Sequence, residues 1–115
     1  MRSVALVGVL ALLGTACTAG TAVEAPSDDA ELVLGQAVYT NNCASCHGAD
    51  GAGRRGAALN GDALLTSYPD PADLRALIAA GRRTMPAFDG RLTDEQLDAV
   101  VRYTREVLST APTDG

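Results

Sequence analysis

The chain contains no tryptophan, no lysine and a single histidine. Phe88, Tyr39, Tyr68 and Tyr103 are its only aromatic residues. A 115-residue chain so poor in large rings is short of core material. One histidine excludes any centre that draws two imidazoles from the same chain. The absence of lysine removes a further metal ligand and leaves every strong base an arginine, which points to base composition in the gene. Basic charge is the scarcer sign: 9 Lys plus Arg stand against 14 Asp plus Glu, a formal net charge of −5. That acidity argues against nucleic acid as a partner. No segment shows clear strand alternation. Cysteine is sparse as well, with three residues, and two of them stand close together.

Those two lie in Cys43-Ala44-Ser45-Cys46-His47. This C-x-x-C-H spacing is a c-type haem attachment signature. Two thiols on one short helical turn can add across the two vinyl groups of haem as thioethers. The adjacent His47 then points a ring nitrogen at the iron. A dithiol redox site wants a strand before the motif and a βαβ pattern around it. A zinc site wants four ligands, and this cluster supplies three. The expected cofactor is one covalently bound haem c, held by Cys43 and Cys46. Such a group also supplies the apolar bulk that the side chains lack.

The N-terminus reads as a secretory signal. Met1-Arg2-Ser3 is short and basic, Val4 to Leu13 is nearly all apolar, and small residues follow. The run is too short and wrongly flanked for an ordinary spanning helix. Export fits, because c-type haem attachment occurs outside the cytoplasm in bacteria. Cys17 is the cysteine left over. Its setting, Leu13-Gly14-Thr15-Ala16-Cys17, resembles a bacterial lipoprotein signal. That resemblance implies a lipidated Cys17 as the mature N-terminus. The pattern departs at Gly14, where an aliphatic residue is usual. Two alternatives stay open: cleavage after Ala22 or Ala25, or a retained anchor, since residues 4–23 carry no charge. The expected plan is a signal over 1–17, a flexible linker over 18–30, a haem domain over 31–110 and a tail over 111–115.

Helical patterns fill the haem domain. Residues 31–40 are predicted helical, with Asp28 or Asp29 near the start. Leu34 and Val38 share one face; Gly35 and Tyr39 share a neighbouring one. Asp70 as N-cap, Pro71 at N1 and Gly81 at C′ bracket a helix whose stripe is Leu74, Leu77 and Ile78. Thr93 and Gln96 form a capping box. Leu97, Val100, Val101, Thr104 and Leu108 follow at helical spacing.

With these elements placed, the chain resembles the class I cytochromes c. The resemblance spans about residues 30 to 110. It implies an all-α fold in which N- and C-terminal helices cross beside one covalently attached haem. Gly35 and Tyr39 match the family's first-helix positions at that crossing, and Val100 and Tyr103 match the last-helix ones. The segment His47-Gly48-Ala49-Asp50-Gly51-Ala52-Gly53 matches a common continuation that reaches a haem-packing Leu, here Leu59. The family usually has a Pro shortly before that Leu, whose carbonyl accepts the proximal ring proton. Here Gly56, Ala57 and Ala58 occupy the stretch.

Elimination bears on the second axial ligand. His47 is the sole histidine, lysine is absent and Met1 belongs to the signal, so Met85 remains. Its setting, Thr84-Met85-Pro86, resembles the family's distal-ligand loop. His47 and Met85 are thus the expected proximal and distal ligands. The implied function is one-electron transfer in an extracytoplasmic chain, not enzymatic catalysis. The alternative is a haem subunit of a membrane-associated oxidoreductase complex. Expected partners are redox proteins, such as a respiratory complex, dehydrogenase or oxidase, and a membrane through the N-terminus. Losing Arg2 takes the net charge from −5 to −6, which predicts docking to locally basic partner faces. Arg54, Arg55, Arg82 and Arg83 stay open between a docking rim near the haem edge, partners for a haem propionate, and solvated surface charge.

Overall fold

The computed structural model describes residues 20–113. The signal, Cys17 and the last two tail residues lie outside them. Five α-helices and one short turn of 3₁₀-helix make up the regular structure, with no strand among the described residues. They are α1 (Ala30–Asn42), α2 (Ala44–His47), α3 (Ala63–Ser67), α4 (Pro71–Ala80) and α5 (Asp94–Glu106). The 3₁₀ turn covers Leu108–Thr110.

Local chemistry explains the boundaries. Asp29 caps α1, its Oδ1 accepting from the N–H groups of Glu31 and Leu32, both at 3.1 Å. Asp70 caps α4 by accepting from Ala72 N–H at 2.9 Å, and Gly81 closes that helix at φ 73°. The Thr93–Gln96 capping box forms in both directions. Helix α5 ends at Glu106, so Leu108 falls in the 3₁₀ turn rather than on the helix. Helix α3 opens without a side-chain cap, since Asp62 makes no capping bond.

Helices α1 and α5 cross in contact. A Cβ on Gly35 would collide with Ala99 O and with Tyr103 Cβ, the latter at 2.7 Å. Glycine there lets two backbones meet. The Tyr39 and Tyr103 rings pack with centroids 5.5 Å apart and planes tilted by 47°. Val100 and Leu108 complete this fully buried centre. The class I crossing read from sequence is present.

The stretch before α1 differs from the free tether that its small polar residues suggested. Val23 and Ala25 pack against the core. Tyr103 donates its hydroxyl proton to the Val23 carbonyl at 2.5 Å. Ala25 N–H donates to Gln36 Oε1 at 2.8 Å, and Gln36 Nε2 donates to Glu24 at 3.1 Å. Backbone groups dock this strap, and side-chain composition does not reveal backbone bonds.

Candidate functional site

Cys43 closes α1, its N–H donating to Tyr39 O at 2.8 Å, and opens α2. The whole C-x-x-C-H motif therefore hangs from the end of the crossing helix. Gly48 ends α2 at φ 88°, a conformation that favours glycine. Tyr39 donates its hydroxyl proton to the Gly48 carbonyl at 2.7 Å, tying the crossing to the motif. Burial pushes the Tyr39 phenol well above its ordinary range.

The chain then folds back beneath His47. Gly53 N–H donates to His47 O at 2.8 Å, and Gly56 N–H to Cys46 O at 2.7 Å. These bonds bring the Ala57 carbonyl to 2.7 Å from His47 Nδ1. The ring donates Nδ1–H to that carbonyl, which leaves Nε2 with a free lone pair. Where the class I pattern places a proline, this chain supplies an alanine carbonyl. Leu59 N–H bonds Gly51 O at 2.7 Å, and Leu59 reaches the same cavity as His47.

Met85 also lines that cavity. Arg82 and Met85 exchange backbone bonds, Arg82 N–H to Met85 O at 3.1 Å and Met85 N–H to Arg82 O at 2.9 Å. Arg83 takes φ 55° at the corner of this turn. Buried Phe88 moors the far end, its N–H reaching Ile78 O and Ala79 O.

Cys43, His47 and Met85 all line one cavity of about 480 Å3. Its walls are apolar, with Leu64, Leu74, Leu77, Ile78 and Val100 among them. Cys46 stands on the same helical turn, and its sulfur lies 3.7 Å from an Arg55 guanidinium nitrogen. Sequence reasoning placed the carbonyl partner of His47 within residues 56–58 without choosing among them, and it missed Tyr68 and the α3 residues Ala63 and Leu64. Asp62 stands at the N-cap of α3 but makes no capping bond, and a carbonyl has no sequence signature.

This donor set discriminates among chemistries. Burial, then repulsion from Cys46, pushes the Cys43 thiol up to about 11. A dithiol redox centre needs the opposite shift, toward thiolate. Among the described residues no group of three or more His, Cys, Asp or Glu side chains converges to hold a bare ion. An apolar slot flanked by an oriented imidazole, a thioether and a C-x-x-C pair fits a flat, covalently tethered porphyrin. Arg55, Arg82 and Arg83 stand at the cavity lining, and none joins a carboxylate ion pair among the described residues. The overall charge is negative, yet the rim of the cavity is basic.

The chain is similar to known proteins over most of its described length. The family model described as "Cytochrome C oxidase, cbb3-type, subunit III" matches residues 30–103. Cytochrome c6 of Leptolyngbya boryana is 37% identical over 76 residues, covering 64% of this chain and 89% of that protein. The gluconate 2-dehydrogenase cytochrome c subunit of Pantoea cypripedii is 36% identical over 92 residues, which is 68% of this chain and 20% of that subunit. The solved structure of cytochrome c6 from the diatom Phaeodactylum tricornutum superposes with a TM-score of 0.55 at 29% identity, covering 64% of this chain and 88% of that one.

Proposed function

The chain belongs to the cytochrome c family, carrying one covalently bound haem c and moving single electrons, and on that premise we propose how it does so and where. Cys43 and Cys46 are the thioether anchors, His47 is the proximal iron ligand through Nε2, and Met85 is the distal ligand. The observation that carries this reading is the shared cavity. His47 and Met85 both reach it, and the Ala57 carbonyl holds the imidazole in the tautomer that leaves Nε2 free. When bound, the haem supplies a one-electron Fe(III)/Fe(II) couple. The residues do the rest. Apolar walls exclude water, so little solvent reorganises as charge changes. With His47 and Met85 both holding the iron, no open position would be left for a substrate. The experiment is Met85→Ala in the haem-loaded protein. The far-red Met–iron absorption band of the oxidised form should vanish, and the reduced form should bind carbon monoxide quickly. Retention of that band in the variant would overturn Met85 as ligand.

We further propose an extracytoplasmic location with the N-terminus at the membrane through a lipidated Cys17. No helix among the described residues is long and apolar enough to cross a membrane. The docked strap bears on the alternatives. Cleavage after Ala25 would remove the Val23 carbonyl from buried Tyr103 and the Ala25 N–H from Gln36. The mature chain is therefore expected to keep Val23. Intact-mass measurement of the exported protein checks this: a mature chain starting at Pro26 would refute it, and a mass with acyl chains at Cys17 would support lipidation.

The subunit reading has its own support, since the match covers only 20% of the Pantoea cypripedii dehydrogenase subunit, and 31% of the Rhodobacter capsulatus cbb3-type oxidase subunit CcoP. Such domains also serve inside larger complexes. Stable co-purification with a dehydrogenase or oxidase would favour that reading, and isolation alone would favour a free carrier. In either case the arginine rim suits a partner face bearing carboxylates, rather than the basic face that net charge alone suggested.

A further inference from the structure

The glycines after the motif are of two kinds. Gly48, Gly51 and Gly53 have φ of 88°, 73° and 92°, where an L side chain is strained. Gly56 is not in that region, so its φ does not itself call for glycine. Space is what excludes a side chain. A Cβ at position 56 would stand 2.8 Å from both Cε1 and Nδ1 of His47, and 3.1 Å from Cys46 O. Gly56 N–H also donates to that Cys46 carbonyl at 2.7 Å. The next carbonyl, from Ala57, accepts from His47 Nδ1. The loop therefore lies flush on the imidazole edge, pinned just before the bond it makes to the ring.

We propose that Gly56 is a positioning residue of the redox centre: its bare Cα sets how closely the Ala57 carbonyl approaches His47 Nδ1, and so tunes the reduction potential. The proposal rests on His47 being the proximal ligand. A close carbonyl draws the Nδ1 proton and raises the basicity of Nε2, which favours the ferric state. No proline stiffens this loop, so glycine packing and the Gly56–Cys46 bond keep the carbonyl in place. A methyl group at 56 has no room. The ring is held by the covalently anchored motif, so the loop yields outward. The Nδ1–H···O=C bond lengthens, Nε2 donates less, and the ferrous state gains.

The test is Gly56→Ala in the haem-loaded full chain. The expected result is an upward shift of the midpoint potential. In proton NMR of the reduced protein, His47 Nδ1–H should exchange with solvent several-fold faster than in the parent. An unchanged potential together with unchanged exchange overturns the proposal, even if the variant melts earlier. Where Gly56→Ala does not load haem, Ala57→Gly decides on the same two readings. It keeps the carbonyl, adds no atom and loosens the loop, so both readings should move in the same direction by less. Iron-shifted His47 ring signals in the parent protein separate the two levels. Their absence would overturn the ligand assignment and the proposal with it, whereas their presence with unmoved readings would overturn the proposal alone.

Discussion

The α1–α5 crossing and the segment from Gly48 to Phe88 are built by different means. At the crossing, side chains decide. Tyr39, Val100 and Tyr103 are essentially fully buried, both helices carry side-chain caps, and one glycine allows contact. Across the same junction Arg102 binds Asp29 at 2.9 Å and Glu31 at 2.6 Å, while Glu106, one turn on along α5, holds its guanidinium at 2.7 Å. The Gly48–Phe88 segment is largely backbone work. Positive-φ glycines, carbonyls that accept from a ring or an amide, and a two-way backbone bond at Arg82–Met85 shape it. Its apolar residues Leu64, Leu74 and Ile78 belong to the core and also line the cavity. The first region is a scaffold that closes on itself, and the second is a mould that closes on its cofactor.

Mutations should separate the two. Gly35→Ala breaks the scaffold most severely. Its methyl group would overlap the Ala99 carbonyl, so the helices must part, at a cost of about 3 kcal/mol. Denaturant unfolding of the haem-loaded protein measures this, and a loss well below 1 kcal/mol would mean that the contact yields easily. Tyr103→Phe should cost about 1 kcal/mol, because it leaves the Val23 carbonyl without its donor. Hydrogen exchange at Ala25 should rise in that variant, which tests whether the strap belongs to the scaffold.

Two pH limbs follow from the same region. Burial raises the Tyr103 phenol from 10.0 to about 12. Its contribution is whole below pH 10 and declines as pH climbs toward 12. Tyr103→Phe should flatten this alkaline limb without abolishing it, since burial raises Tyr39 further. The Arg102 guanidinium, helped by the Leu32 amide, holds the Asp29 carboxyl below its ordinary 3.8. That contribution is present above pH 3.8 and fades as pH falls below it. Arg102→Gln should remove most of this acid sensitivity in a pH series of melts. The smallest effect expected is Asp94→Ala. The Asp94 side chain is 93% exposed and its bond to Arg75 spans 3.0 Å, so a change under about 0.5 kcal/mol is expected. A larger loss would show that the surface pairs also hold the scaffold.

The same division governs what was readable in advance. Asp70-Pro71 with Gly81, and Thr93 with Gln96, announced α4 and α5 because capping is local and belongs to particular side chains. Gly35 and Tyr39 marked the crossing because only glycine admits such an approach. Helix α3 went unseen, since it forms by packing Leu64 into the core rather than by a cap. The strap was misread because its docking uses the Val23 carbonyl and the Ala25 amide. Every residue carries those groups, so composition cannot mark them.

Residue chemistry alone settled the cofactor: a C-x-x-C-H turn, one histidine and no lysine leave few alternatives, because covalent attachment and ligation demand particular atoms. Folding decided which carbonyl meets Nδ1 of His47, that Gly56 is bare for want of room rather than for its φ, and that a net acidic chain turns arginines toward its cavity. Those outcomes depend on which backbone groups and which charges come together in space. Tertiary packing sets that proximity, and the linear order of residues does not encode it locally.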